Sequence, residues 1–222
     1  MTQRDEEPPR AKTPARRSVT PRRAPHRADS KEIVEAILDA ATFLATKGLP
    51  HVTTNAIAKR AGVGVASVYR YFPNKEAIFA EIARRRHEAY LHALRAELAT
   101  SRPLREGVEG LVRLLAVRDP ADEAIRRMLN VDVPLRWSLR EARTTETAVV
   151  DGITRWLAER HGIDGDGVRD RVFLLFGATR GVMGLRLLHA HRAPADEVLV
   201  EGLVEICLST LRPWIGDASG AR

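Results

Sequence analysis

Apolar residues recur at helical spacing from about residue 33 to residue 211, and no stretch alternates apolar and polar positions as a half-buried strand does. The pattern predicts an all-α fold. Ile57, Ala58 and Ala61 form one short stripe, and Val68 and Phe72 share a face four residues apart on the next. A long helix is expected from Asn74 through Ile78, Ile82 and Tyr90 to about Leu98. Further helices are expected at about 104–117, 121–129, 135–160, 167–191 and 195–211. Most breaks between them carry Gly or Pro: Pro103, Pro120, Pro134, Gly162, Gly165, Pro194 and Pro213.

The two short stripes belong to the most informative segment, TTNAIAKRAGVGVASVYRYFPNKE at 53–76. Thr53 precedes the first stripe as an N-cap whose hydroxyl satisfies a free backbone N–H. Gly62 stands where a helix ends in the left-handed conformation that costs glycine little. Val63 plugs the corner, and a second short helix is expected from Val65 to Tyr71. Two short helices joined by a tight glycine turn lay the second in a DNA major groove. Val68 and Phe72 lock that helix onto the first, leaving Ser67, Tyr69, Arg70, Tyr71 and Lys75 to face outward or flank the groove. Hydroxyls and ammonium groups hold phosphate oxygens, whereas a guanidinium reaches guanine O6 and N7 together. Thr54 and Asn55 open the first helix, where side chains and free N–H groups hold a phosphate. Pro73 stops the second helix and Asn74 caps the next. The alternative is that these outward residues are a solvated surface only.

This segment closely resembles the DNA-binding domain of TetR-family bacterial transcription regulators. There, a helix-turn-helix is followed by Tyr-x-Tyr/His-Phe and Lys-Glu, here Tyr69, Tyr71, Phe72, Lys75 and Glu76. The resemblance begins near Ile33, takes in Ile37, Ala40, Ala41, Leu44 and Gly48, and ends near Ile82, about a quarter of the chain. It implies DNA contacts from Thr54, Asn55, Ala66, Ser67, Tyr69, Arg70, Tyr71 and Lys75. Two positions depart from the family pattern. Gly64 replaces the usual Ser N-cap of the second helix, a change that costs a few tenths of a kcal/mol. Val65 and Ala66 are apolar where polar base-readers are common, which leaves them thymine methyl groups or nothing to touch. Arg70 becomes the main candidate for base readout.

Composition agrees with such a partner without identifying it. The 222 residues carry a formal net charge of +7, which favours polyanions. Eight basic and three acidic residues precede Ala28, a surplus of five that is most of that charge. Arginines alternating with Pro14, Pro21 and Pro25 cannot bury a core, so residues 1–28 are expected to be a disordered basic arm. The arm is either a solvated tail or a segment that tracks phosphates or enters the minor groove. A single cysteine, Cys207, excludes an intrachain disulfide and suggests a reducing compartment. Arg180 and Arg186 interrupt the longest apolar stretch, and the N-terminus lacks the apolar core of a secretory signal. A cytoplasmic protein with no membrane span is expected.

The boundaries read as 1–28 for the arm, 29–77 for a three-helix DNA-binding domain and 78–222 for a helical ligand-binding and dimerisation domain. On the final helix, Val198, Leu199, Val200, Leu203, Val204, Ile206, Cys207, Leu208 and Leu211 leave only a narrow polar strip. Such a helix must be covered on two sides. The family resemblance implies that a second subunit supplies one of them in a four-helix bundle, with Leu199, Leu203, Cys207 and Leu211 at the interface. Gly177, Gly181 and Gly184 either allow close helix approach there or relieve crowding within the domain. The resemblance also implies a small-molecule pocket among the middle helices. Met128, Trp137, Trp156, Phe173, Phe176 and Met183 are candidate lining residues, each equally readable as plain core. Arg180 is a candidate anchor for an anionic group, or else one half of a structural ion pair. No catalytic residue, cofactor or metal ligand set is expected, since the histidines make no metal signature and no nucleophile or phosphate-loop motif occurs. The expected protein is a homodimeric regulator, most often a repressor in this family, that binds a palindromic operator in double-stranded DNA and is released by a small-molecule effector. The rivals are a regulator with a protein partner or no ligand and, more distantly, an enzyme acting on its ligand.

Overall fold

The computed structural model describes residues 28–116 and 139–215 and, between them, residues 127, 129, 133, 134 and 136. Its helices are α1 (Ala28–Thr46), α2 (Thr54–Ala61), α3 (Val65–Tyr71), α4 (Lys75–Ala99), α5 (Leu104–Ala116), α6 (Leu139–His161), α7 (Val168–Leu188) and α8 (Asp196–Leu211). No strand occurs among the described residues, and none of the helices is long and apolar enough to cross a membrane. The fold is all-α, as the periodicity indicates. Residues 1–27 of the basic arm expected at 1–28, and nearly all of the helix expected at 121–129, lie outside the described residues, and Ala28 opens α1. The helix expected to run to residue 191 ends at Leu188. His189 leaves helical geometry (φ −129°, ψ 45°), and a 3-10 turn at Ala190–Arg192 follows.

Two hydrophobic cores form. The first gathers Ile37, Ala41, Val52, Ile57, Val68, Phe72, Ile78 and Phe79, all essentially without solvent contact. At about 1.5–3 kcal/mol for each large side chain buried, this cluster is what orders the short helices α2 and α3. The second gathers Leu94, Val108, Val112, Val149, Val150, Trp156, Leu157, Val172, Val200 and Val204 from α4 to α8. Helix α4 belongs to both, with Ala77, Ile78, Phe79 and Ile82 in the first and Leu94 in the second. The expected boundary at 77/78 falls within a buried stretch of α4, and Ile78, Phe79, Ile82 and Val133 beyond it belong to the first core. The polar run Arg84 to Glu88 separates the two buried stretches of α4 and marks where one core hands over to the other.

Polar contacts tie α4 to α1. The buried carboxylate of Glu81 accepts from Arg84 Nε (2.7 Å) and Arg85 Nε (2.8 Å), and Arg85 Nη1 reaches Glu35 on α1 at 2.5 Å. Burial alone would raise the Glu81 carboxyl, but the hydrogen bonds from Arg84 and Arg85 outweigh it and hold it below the usual carboxylate range. Helix starts follow the expected capping. Thr53 Oγ1 accepts from Ala56 N at 3.1 Å, and Asn74 Oδ1 accepts from Ala77 N at 2.9 Å. Thr53→Ala should cost about 1 kcal/mol and lower the melting temperature by about 2–4 °C, measured by circular dichroism. An unchanged melting temperature would show that α2 is held by its core contacts alone.

Candidate nucleic-acid interface

The turn between α2 and α3 is built on backbone geometry. Gly62 lies in the left-handed region (φ 69°) and Val63 N donates to Ala58 O at 3.0 Å, closing α2. A Cβ at Gly62 would meet open space, so conformation rather than crowding favours glycine there. Gly64 precedes α3 in extended geometry (φ −68°) and supplies no side-chain cap, as its identity implies.

Helix α3 divides sharply into two faces. Val68 and Phe72 seal it against the first core, whereas Val65, Ala66, Tyr69 and Arg70 line the opposite, exposed edge. Tyr69 is 45% exposed despite its large ring. Ser67 and Lys75 are half-buried, and Thr54 and Asn55 stand at the N-terminal turn of α2. The expected DNA-facing residues are thus exposed or half-buried, with one exception. Tyr71, expected to face outward, is only 3% exposed and belongs to the first core. Its spacing from Val68 (three residues) and Phe72 (one) puts it on the same buried side. Its hydroxyl accepts from Arg70 Nη2 at 3.1 Å, and the Arg70 guanidinium lies 4.9 Å from its ring centroid. Tyr71 braces Arg70 rather than presenting itself. Sequence reading also missed a cationic pair beside this domain. The Arg60 guanidinium stands 3.3 Å and Lys47 Nζ 5.0 Å from the Phe43 ring centroid.

In the second core, α4 to α8 line a cavity of about 60 Å³. Trp156 and Phe176 line it, as expected. The other expected pocket residues do not. Met183 is packed within the core away from the cavity, Phe173 is 60% exposed on the outer side of α7, and Arg180 is exposed and ion-paired with Glu146. Met128 and Trp137 lie outside the described residues. Cys207 and Leu211, expected at a subunit interface, line the cavity instead. Leu203 is 4% exposed and buried in its own domain, while Leu199 is half-buried against the same core. All four are covered at least in part by their own domain, in which α8 packs against α5.

The outer side of α7 and α8 is nevertheless apolar. Leu174, Leu185 and Leu188 on α7 and Val198 and Ile206 on α8 are all at least half exposed. Gly177, Gly181, Gly184 and Gly202 have no neighbour within 4 Å of a built Cβ, so these glycines relieve no crowding inside the domain. Among the described residues no group of three or more metal-ligating side chains gathers. His87, with a buried Nδ1 lacking a partner, is held below its ordinary pKa by burial and by Arg180.

Residues 37–82 match the family model for bacterial regulatory proteins of the tetR family. No curated protein sequence matches the chain. NalD of Pseudomonas aeruginosa, the secondary repressor of the MexAB-OprM multidrug efflux pump, superposes with a TM-score of 0.65 at 20% identity, covering 86% of this chain and 100% of NalD. SmeT, repressor of the Stenotrophomonas maltophilia multidrug efflux pump SmeDEF, gives 0.61 at 23% identity over 86% of this chain and 94% of its own. FadR from Bacillus subtilis, solved with stearoyl-CoA, gives 0.57 at 19% identity over 85% and 99%. At such identities the likeness establishes a shared fold.

Proposed function

We propose that this chain, which belongs to the TetR family by its DNA-binding domain and shares the all-α fold of such regulators, is a homodimeric transcription regulator of the cytoplasm. It binds a palindromic operator and releases it when a small molecule occupies the cavity, acting by binding and not by catalysis. The carrying observation is the exposed edge of Val65, Ala66, Tyr69 and Arg70, held out by a helix whose other face is buried. That edge suits insertion into a major groove, with Thr54, Asn55, Ser67 and Lys75 placed for phosphates.

The apolar outer face of α7 and α8 supports a second copy as its cover, because a patch of that extent invites association. Two-fold pairing then sets the recognition helices roughly 34–36 Å apart, the spacing of successive major grooves. Helix α4 supplies the coupling, since Tyr90 and Leu94 line the cavity while Ile78, Phe79 and Ile82 anchor the DNA-binding core. A ligand shifts the equilibrium only by its differential affinity for the two spacings. NalD and SmeT are described as repressors and FadR was solved with a ligand, which supports the same mode here.

The test is selection of bound sequences from a random DNA pool, followed by titrations with variants. Arg70→Ala should lose discrimination at the bases it reads, costing about 1–3 kcal/mol there. Lys75→Ala should weaken binding to all sequences alike. Retention of the wild-type preference at every operator position by Arg70→Ala would remove its base-reading role.

A further inference from the structure

We infer that the effector of this cavity is a small, uncharged, predominantly apolar molecule. The inference rests on the reading of the cavity as the effector site. None of its lining residues is Asp, Glu, Lys, Arg or His. Its walls are aliphatic and aromatic, among them Leu94, Val108, Ile153 and Phe176, with Tyr90, Trp156, Thr179 and Cys207 as the polar-bearing members, all of them uncharged. The Thr179 hydroxyl already donates to Leu175 O at 2.8 Å, so its remaining capacity is that of an acceptor. Burial pushes the Cys207 thiol up to about 11, which leaves it a neutral, weak donor. An ion brought into such a lining loses its hydration and gains no counter-charge. The guanidinium that the sequence offers, Arg180, is turned outward onto Glu146, with the Phe176 ring 5.8 Å from it. Recruiting it would break that pair and displace a cavity wall.

Size narrows the class further. A volume of about 60 Å³ is small beside the roughly 300–1,000 Å³ of drug-sized sites, so a ligand enters by moving a side chain. The Trp156 indole is a wall held from two sides. A Cβ on Gly107 would come within 2.5 Å of its Cζ2, and the His161 ring lies edge-on with centroids 4.5 Å apart. The indole therefore rests on bare backbone of α5.

The test uses the full chain and three probes with one hydrocarbon body: octanol, octanoate and octylammonium at neutral pH. Cys207 is the chain's single cysteine, so protection from methyl methanethiosulfonate, read by intact mass, reports occupancy of this cavity. Octanol should protect at a concentration at least about tenfold below either ion, given the cost of burying charge. Equal or better protection by an ion would overturn the inference while leaving the effector site standing. No protection by any of the three would overturn both. Cys207→Leu, which fills the cavity with apolar atoms, should abolish the thermal shift produced by octanol in a protein still folded by circular dichroism. A retained shift would place the alcohol elsewhere and overturn the inference.

Discussion

Ile206→Glu should convert the proposed dimer into a folded monomer that binds a half-site weakly and loses the proposed palindrome. Ile206 is 50% exposed on the outer face of α8, so a carboxylate there stays hydrated in the monomer. Surface substitutions of that kind usually change stability by about 0.5 kcal/mol or less. In a two-fold bundle the same carboxylate would meet its mate in an apolar seam, and burying two like charges is costly. Loss of the second half-site removes an avidity factor of about 10²–10⁴. Leu203→Glu is the control. Leu203 is 4% exposed in its own core, and a charge there should unfold the domain rather than split the dimer. Size-exclusion with light scattering and circular dichroism separates the two. An Ile206→Glu protein that remains dimeric with undiminished palindrome affinity would place the interface elsewhere, and an exposed apolar face left free would then favour a different protein partner.

Removing residues 1–27 should leave the fold intact and make operator binding much less sensitive to salt. The segment carries eight basic and three acidic residues, and cations placed on phosphates release counterions. Each such contact steepens the dependence of log affinity on log salt by about 0.9. Two contacts per arm make four per dimer, a slope change of about 3.6. Between 50 and 200 mM salt the intact protein should then lose roughly a hundredfold more affinity than the truncated one. Identical slopes in titrations of the two proteins would show that the arm stays off DNA. A sequence preference that changes on truncation would assign it minor-groove readout as well.

Much of the DNA-binding domain was legible because its signals are local. An N-cap hydroxyl at Thr53, a left-handed glycine at Gly62 and a stop at Pro73 each act over three or four residues, and each stands where the sequence places it. The all-α fold followed from spacing for the same reason. What the sequence by itself did not determine lies on helices that are apolar around most of their girth. On α8, Val198, Leu199, Val200, Leu203, Val204 and Ile206 all satisfy some helical stripe, so periodicity names no inward face. Packing along α5 decided it, burying Leu203 and leaving Ile206 outside. Phe173 and Phe176, three residues apart on α7, were equally good pocket residues on paper, yet only Phe176 faces the cavity. Tyr71 shows the limit of a polar atom as a guide, since its ring obeys the Val68–Phe72 stripe while its hydroxyl turns to Arg70. Local rules set which segments are helices and where they end. Which side of an apolar helix is covered is a property of its neighbours, and only the tertiary structure supplies those.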